Sequence, residues 1–409
     1  MRFAIIVFLF LLVIWSRLAA KQLPGSPLSN SDTYTNKWPH GSDTNTKVLD
    51  VLQNYLQKNW KSPEQYIVDK FKNHDIVLLS EDHAVKHNLL MAQAAIPMLY
   101  KAGVYNFGME FGAEEDQHLL DSLVTAPEYS DEIAKKIQFS YNVGWVFKEY
   151  RDIYRAAWQL NKSLPPSAKK FRVLNLSYRY NWASCDDKYF GVRTPEMTKR
   201  VFNRGNTEFF RANIIKKNIL DKHEKILVIT GFGHAYTRYK TPYYDYRAED
   251  FYVFDTNRMG NILYRMAPKK VFTILLHYPF ESRSVGPFIT YPPANGYIDA
   301  VMKRFADKRV GFDLVNTPFG ELRDTSFYSV GYKDFRMKYM ADGYIYQKPF
   351  DEYEGCTVDE TFITDENWPE VKRNFPDKDF ARVPETKEAY LTNIRNYVNM
   401  KMRYRNLKQ

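Results

Sequence analysis

Cysteine is nearly absent: Cys185 and Cys356 are the only two in 409 residues. That number excludes a zinc site built on cysteines, and it leaves a Cys185–Cys356 disulfide an open question in an oxidising compartment. No Gly-x-Ser-x-Gly sequence occurs, so the strand-turn-helix elbow of a serine hydrolase is missing. A phosphate-binding glycine loop and a dinucleotide fingerprint are missing as well. No block of basic residues carries interleaved aromatics. The net charge of +10 therefore points to solubility or adhesion to anionic surfaces, with no nucleic acid as partner. The longest apolar run, Phe3 to Trp15, is shorter than the roughly 20 residues of a spanning helix. With Arg2 before it and Leu18-Ala19-Ala20 after it, the run reads as a cleaved signal peptide over residues 1–20. A secreted or periplasmic location is expected, with no stable membrane span after cleavage.

Aromatic residues are plentiful, with 31 Tyr and 28 Phe. A tyrosine has an apolar body and a polar tip, which suits either a surface or a partly polar pocket. Residues 21–46 are rich in Ser, Asn, Thr, Pro and Gly and poor in aliphatics, and are expected to form a flexible N-terminal arm. Helical patterns follow over Val48–Trp60 and Glu64–Lys72. Beyond them, short apolar runs alternate with helical segments. Such alternation predicts an α/β domain over 47–350, with a mainly parallel central sheet and helices on both faces. Residues 351–409 are expected to form a C-terminal extension that ends in a helix over Glu388–Asn406.

The central stretch is DIVLLSEDHAVKH, residues 75–87. Its unbroken apolar run, Ile76–Leu79, reads as a strand buried on both faces. The run stops at Ser80-Glu81-Asp82-His83, and His87 follows in the first turn of the next helix. A second strand, Val104–Phe111, delivers Glu110 to its carboxyl end. A third, Phe171–Leu176, leads into Tyr178-Arg179-Tyr180. A charged helical region, Thr194–Asp221, precedes a fourth strand, Lys225–Thr230, which ends in Gly231-Phe232-Gly233-His234. Strands are also expected at Val271–His277, Arg309–Val315 and Gly343–Gln347. Ligands of open α/β sheets bind at the carboxyl ends of the strands, and Glu81, His83, Glu110 and His234 should meet there. Each of these residues alone reads as structural; their coincidence at one sheet edge reads as a site. His87, Tyr178, Arg179, Arg151 and Tyr236 are the candidates for holding a small-molecule substrate or ligand. Lys148 and Arg238 are weaker ones, and His277 is expected to be a buried, hydrogen-bonded histidine.

The motifs Ser-Glu-Asp-His with His87 four residues on, Gly-Met-Glu-Phe (108–111) and Gly-Phe-Gly-His (231–234) resemble the erythromycin esterase/ChaN/Tiki superfamily. Similarity extends to Val310–Leu314, Pro318–Leu322 and Ala341–Tyr344, so that it spans roughly residues 75–349. Ser80 stands where the superfamily carries glycine. The resemblance implies three alternatives. In a metal-independent esterase, His83 draws a proton from water, Glu81 or Glu110 orients it, and His234 or an arginine stabilises the oxyanion. In a metal-dependent hydrolase, His83, Glu110 and His234 hold a divalent metal. In a ChaN-like binding protein of the cell envelope, His83 and His87 hold haem without turnover. The expectation is a hydrolase acting on an ester or related bond, with a haem- or metal-binding protein as the alternative.

Overall fold

All six residues of strand β1 (Ile76–Glu81) are buried, four of them apolar. A strand with no solvated face must lie inside a sheet that is covered on both sides. The structure is a computed structural model that describes residues 45–185, 193–283, 289–379 and 381–408. In it, β1 occupies the middle of a seven-stranded sheet. The expected signal peptide and the arm up to residue 44 lie outside the described residues.

In chain order the later strands are β2 (Asn106–Ala113), β3 (Arg172–Ser177), β4 (Ile226–Gly231), β5 (Thr241–Tyr244), β6 (Tyr252–Asp255), β7 (Val271–Leu276), β8 (Phe280–Glu281), β9 (Thr290–Tyr291), β10 (Val310–Asp313) and β11 (Gly343–Tyr346). The sheet runs β10-β11-β7-β1-β4-β2-β3. Neighbours are parallel apart from the β10–β11 pair, which is antiparallel. Two short antiparallel pairs, β5–β6 and β8–β9, lie outside it. The expected mainly parallel α/β architecture is thus the observed one.

Strand alternation divides the core. Val77 and Leu79 of β1 pack with the helices Lys86–Lys101 and Lys148–Ser163 on one face. Ile76 and Leu78 pack with Thr207–Ile215 and Met259–Met266 on the other. Each such aliphatic side chain, fully buried, contributes about 1.5–3 kcal/mol, so both helical layers are tied to the same strand.

β4 arrives late in the chain but is inserted between β1 and β2. Its register sets Glu81 opposite Gly231 on one side and Met109 opposite Ile229 on the other. The carboxyl ends of β1, β2 and β4 therefore stand side by side.

The charged helical region expected over Thr194–Asp221 comprises two helices, Pro195–Val201 and Thr207–Ile215, followed by a π-turn at Lys216–Leu220. The C-terminal helix is also divided, into Lys387–Val398 and Met400–Arg403; Asn399 caps the second piece by accepting from the Met402 amide at 3.2 Å. Residues beyond 350 are no loose appendage. Cys356, Phe362, Val371, Phe375, Tyr390 and Ile394 belong to the same core as β1 and β2. Cys185 lies in a separate cluster with Trp182 and Met197, so the two cysteines are not bridged to each other.

Candidate active site

At the end of β1 the chain turns sharply. Ala84 takes a left-handed conformation (φ 59°), unusual for a residue with a Cβ. The turn sends the His83 side chain back over Glu81, and His83 Nδ1 lies 3.0 Å from Glu81 Oε1. The same carboxylate oxygen accepts from the Tyr150 hydroxyl at 2.7 Å. That hydroxyl in turn accepts from the Ala84 amide at 3.0 Å. Burial pushes the Glu81 carboxyl up from its ordinary value, with the His83 and Tyr150 hydrogen bonds acting against it. With Nδ1 donating to Glu81, the other ring nitrogen, Nε2, is left as the acceptor.

Two aromatic rings wall this imidazole. Phe111 and Trp145 meet it edge-on, with centroids at 4.9 and 5.4 Å, and stack on each other at 3.6 Å. On the far side, His83 Nε2 faces Gly231. A Cβ on that glycine would lie 2.6 Å from His83 Nε2 and 3.5 Å from His234 Cδ2. Gly231 thus forms the floor between the two imidazoles, and only a hydrogen fits there.

His234 sits between two carboxylates. Its Nε2 is 3.2 Å from Glu110 Oε1 and its Nδ1 is 2.5 Å from Glu208 Oε1. Burial works against a charged imidazole here, but Glu110 and Glu208 outweigh it and raise its pKa. Glu110 is anchored by the Thr230 hydroxyl at 2.7 Å and the Gly231 amide at 2.9 Å, and by Arg211 Nη2 at 3.1 Å. Burial would raise its pKa, yet His234 and Arg211 hold the carboxyl well below the ordinary value. Glu208 is likewise held down, to about 2, chiefly by His234 and Arg258 against the effect of burial. Arg211 is itself fixed by Ser177 Oγ at 3.0 Å and the Tyr180 hydroxyl at 3.3 Å.

Glu81, His83, Glu110 and His234 are therefore brought together. Most of the other candidates are engaged elsewhere. Arg151 is buried against Asp359 (2.6 Å) and Gln138 (3.2 Å). Arg179 pairs with Asp116. Tyr178 donates to the Gly205 carbonyl and packs on Phe210. Tyr236 is buried among Phe232, Tyr239 and Tyr278. His87 meets the ring of Tyr353 at 4.6 Å, and burial together with Lys348, His277 and Arg309 lowers its pKa to about 3. Lys148 is exposed, and Arg238 pairs with Asp342 at 2.7 Å. His277 is buried between Tyr344 and Asp299.

His83, Glu110 and His234, the set expected if the chemistry is metal-dependent, are held as follows. Among the described residues no group of three or more His, Cys, Asp or Glu side chains is arranged to hold a metal ion. Both ring nitrogens of His234 are taken by carboxylates, His83 Nδ1 is taken by Glu81, and Arg211 fills the cationic position beside Glu110. His87, the expected second ligand for haem, stands in the Tyr353 cluster and not with Phe111 and Trp145 around His83.

Glu208, Arg211 and Tyr150 were not among the sequence candidates. One signal for the first two lay in their spacing: Glu208 precedes Ala212 by four residues and Arg211 precedes Ile215 by four, which puts the charges on the buried stripe of their helix.

No family model and no curated protein matches the chain. Among solved structures it is similar to a succinoglycan biosynthesis protein, with 11% identity and a TM-score of 0.47 over 75% of this chain and 97% of that one. A mutant erythromycin esterase EreC in its open conformation gives 10% identity and a TM-score of 0.42 over 70% of this chain and 97% of that one. The haem-binding ChaN of Campylobacter jejuni gives 13% identity and a TM-score of 0.31 over 54% of this chain and 87% of that one. Solved structures from two of the branches named from the sequence are thus among those similar to this chain. At these identities and scores the site's chemistry has to be read from its own residues.

Proposed function

We propose that the chain is a secreted hydrolase that activates water with His83 and cleaves an ester or related bond of a small molecule. The observation that carries this reading is the Glu81–His83 pair: Nδ1 is tied at 3.0 Å, and Nε2 is turned toward Gly231 and the second imidazole. His83 Nε2 accepts a proton from water while the oxygen of that water bonds to the carbonyl carbon. The carbonyl π electrons move to oxygen, beside the positive charge of His234 and Arg211. Collapse breaks the bond to the leaving oxygen, which takes the proton back from His83. Glu81 orients the imidazole and balances its charge while it is protonated. Tyr150 holds Glu81 in place. Metal binding is less well supported because the nitrogens of His234 are already engaged, and haem binding because His87 is packed against Tyr353.

The test is hydrolysis of a series of p-nitrophenyl esters by the exported protein. His83→Ala should lower kcat/KM by about 10²–10⁴-fold, the usual worth of a general base, with the fold retained by circular dichroism. Equal rates in the wild type and the variant across the series would overturn the reading.

A further inference from the structure

The left-handed turn that aims His83 is held by Tyr150 and by several residues beyond 350. Ala84 donates its amide to the Tyr150 hydroxyl, and its carbonyl accepts from the Cys356 amide at 2.9 Å. The His83 carbonyl accepts from Arg403 Nη1 at 2.6 Å and, more weakly, from the Tyr397 hydroxyl at 3.5 Å. The second arm of the Arg403 guanidinium pairs with Asp82, whose other oxygen accepts from the Tyr404 hydroxyl at 2.8 Å. Arg403 lies over the ring of Tyr397, 4.7 Å from its centroid, and only 8% of its side chain is exposed. Strained backbone of this kind persists only where its surroundings over-determine it, and here most of the holders lie beyond residue 350.

We propose that Arg403 is a positioning residue for His83: its forked contact with the Asp82 carboxylate and the His83 carbonyl makes the end of the chain part of the site. The inference rests on the reading of His83 as the base. Gly231 leaves the imidazole no room to move toward the floor, so a relaxed turn would carry Nε2 off its line. A buried bidentate arginine is also not replaceable by lysine, which offers a point charge in place of a fork.

The test uses the full chain and two readouts. The first is the proton NMR spectrum of the His83 ring at a fixed pH, assigned by its loss in His83→Gln. The second is hydrolysis of p-nitrophenyl acetate. Arg403→Ala should shift the His83 ring signals, which move with the ring's position against Phe111 and Trp145. It should also lower kcat by on the order of 10²-fold, as a misplacement of about 1 Å does, with KM changed less than about twofold. Arg403→Lys should fall between. Ala84→Gly combined with Arg403→Ala should recover part of the His83 signal, because glycine adopts the left-handed turn without being held there. Arg395→Ala breaks only exposed pairs with Glu360 and Glu388 on the same extension and should leave the His83 signal where it is. Unshifted His83 ring signals in Arg403→Ala and Arg403→Lys overturn the inference, whatever the rates. If Arg403→Ala fails to fold, Arg403→Lys and its combination with Ala84→Gly decide the matter in the same way. Shifted His83 ring signals in a protein whose His83→Ala variant keeps full activity would retain the positioning and remove the catalytic reading.

Discussion

His234 has a carboxylate at each ring nitrogen, and pH acts on that cluster from both directions. Its raised pKa means that its contribution to stability is complete below the ordinary imidazole value of about 6.5 and is lost as pH rises through the folded value. Glu208, held down to about 2, works in the opposite sense: its contribution is complete above the ordinary value of about 4.3 and fades as pH falls toward 2. The thermal midpoint should therefore decline on both sides of a weakly acidic plateau, and His234→Gln should flatten the alkaline decline. A midpoint in His234→Gln that keeps the wild-type alkaline decline would place the stabilising charge elsewhere. Glu208→Ala goes further, because it leaves Arg211, Arg258 and His234 with an unbalanced buried charge. A loss of about 3–5 kcal/mol is expected in denaturant unfolding.

Among the elements, β4 bears most directly on the chemistry. Its last residue, Gly231, sets the gap between the imidazoles. Gly231→Ala would force a methyl to within 2.6 Å of His83 Nε2. Overpacking of this kind costs about 1–3 kcal/mol, and hydrolysis should fall far more than stability does, as kcat and the unfolding midpoint measured together will reveal. The strands themselves were plain in the sequence: Ile76–Leu79 and Ile226–Ile229 are continuous apolar runs, and Glu81, His83, Glu110 and His234 follow from where such runs stop. The helix Thr207–Ile215 was not plain. It was read within a charged region, and charge on a helix ordinarily faces water. Only its packing against β3 and Met259–Met266 turns Glu208 and Arg211 inward. The partner of Arg151 was hidden for another reason, since Asp359 lies in a segment that periodicity alone cannot place.

At the scale of the whole molecule, the two cysteines sit in different cores. Burial, with Glu149 and Glu81 nearby, pushes the Cys356 thiol up and leaves it little thiolate. The unfolding midpoint should then be the same with and without a reductant; a drop on reduction would reveal a bridge that joins them. The expected end of the domain at 350 was drawn where alternating strands and helices cease. Packing ignores that line. Gly355 bridges to Val85, and Val358 to Phe147, so the segment after 350 is laid between the loop that follows β1 and the start of the helix that carries Tyr150.

That arrangement has a consequence for the order in which the protein is made. Synthesis produces His83 first, β4 and His234 more than a hundred residues later, and Cys356 and Arg403 later still. The loop at Asp82–Lys86 contacts all of these late segments. A chain that has reached β4 but not yet Cys356 and Arg403 therefore carries both imidazoles without the contacts that hold the turn at His83, and that turn is fixed only once the segment beyond residue 350 has folded back onto it.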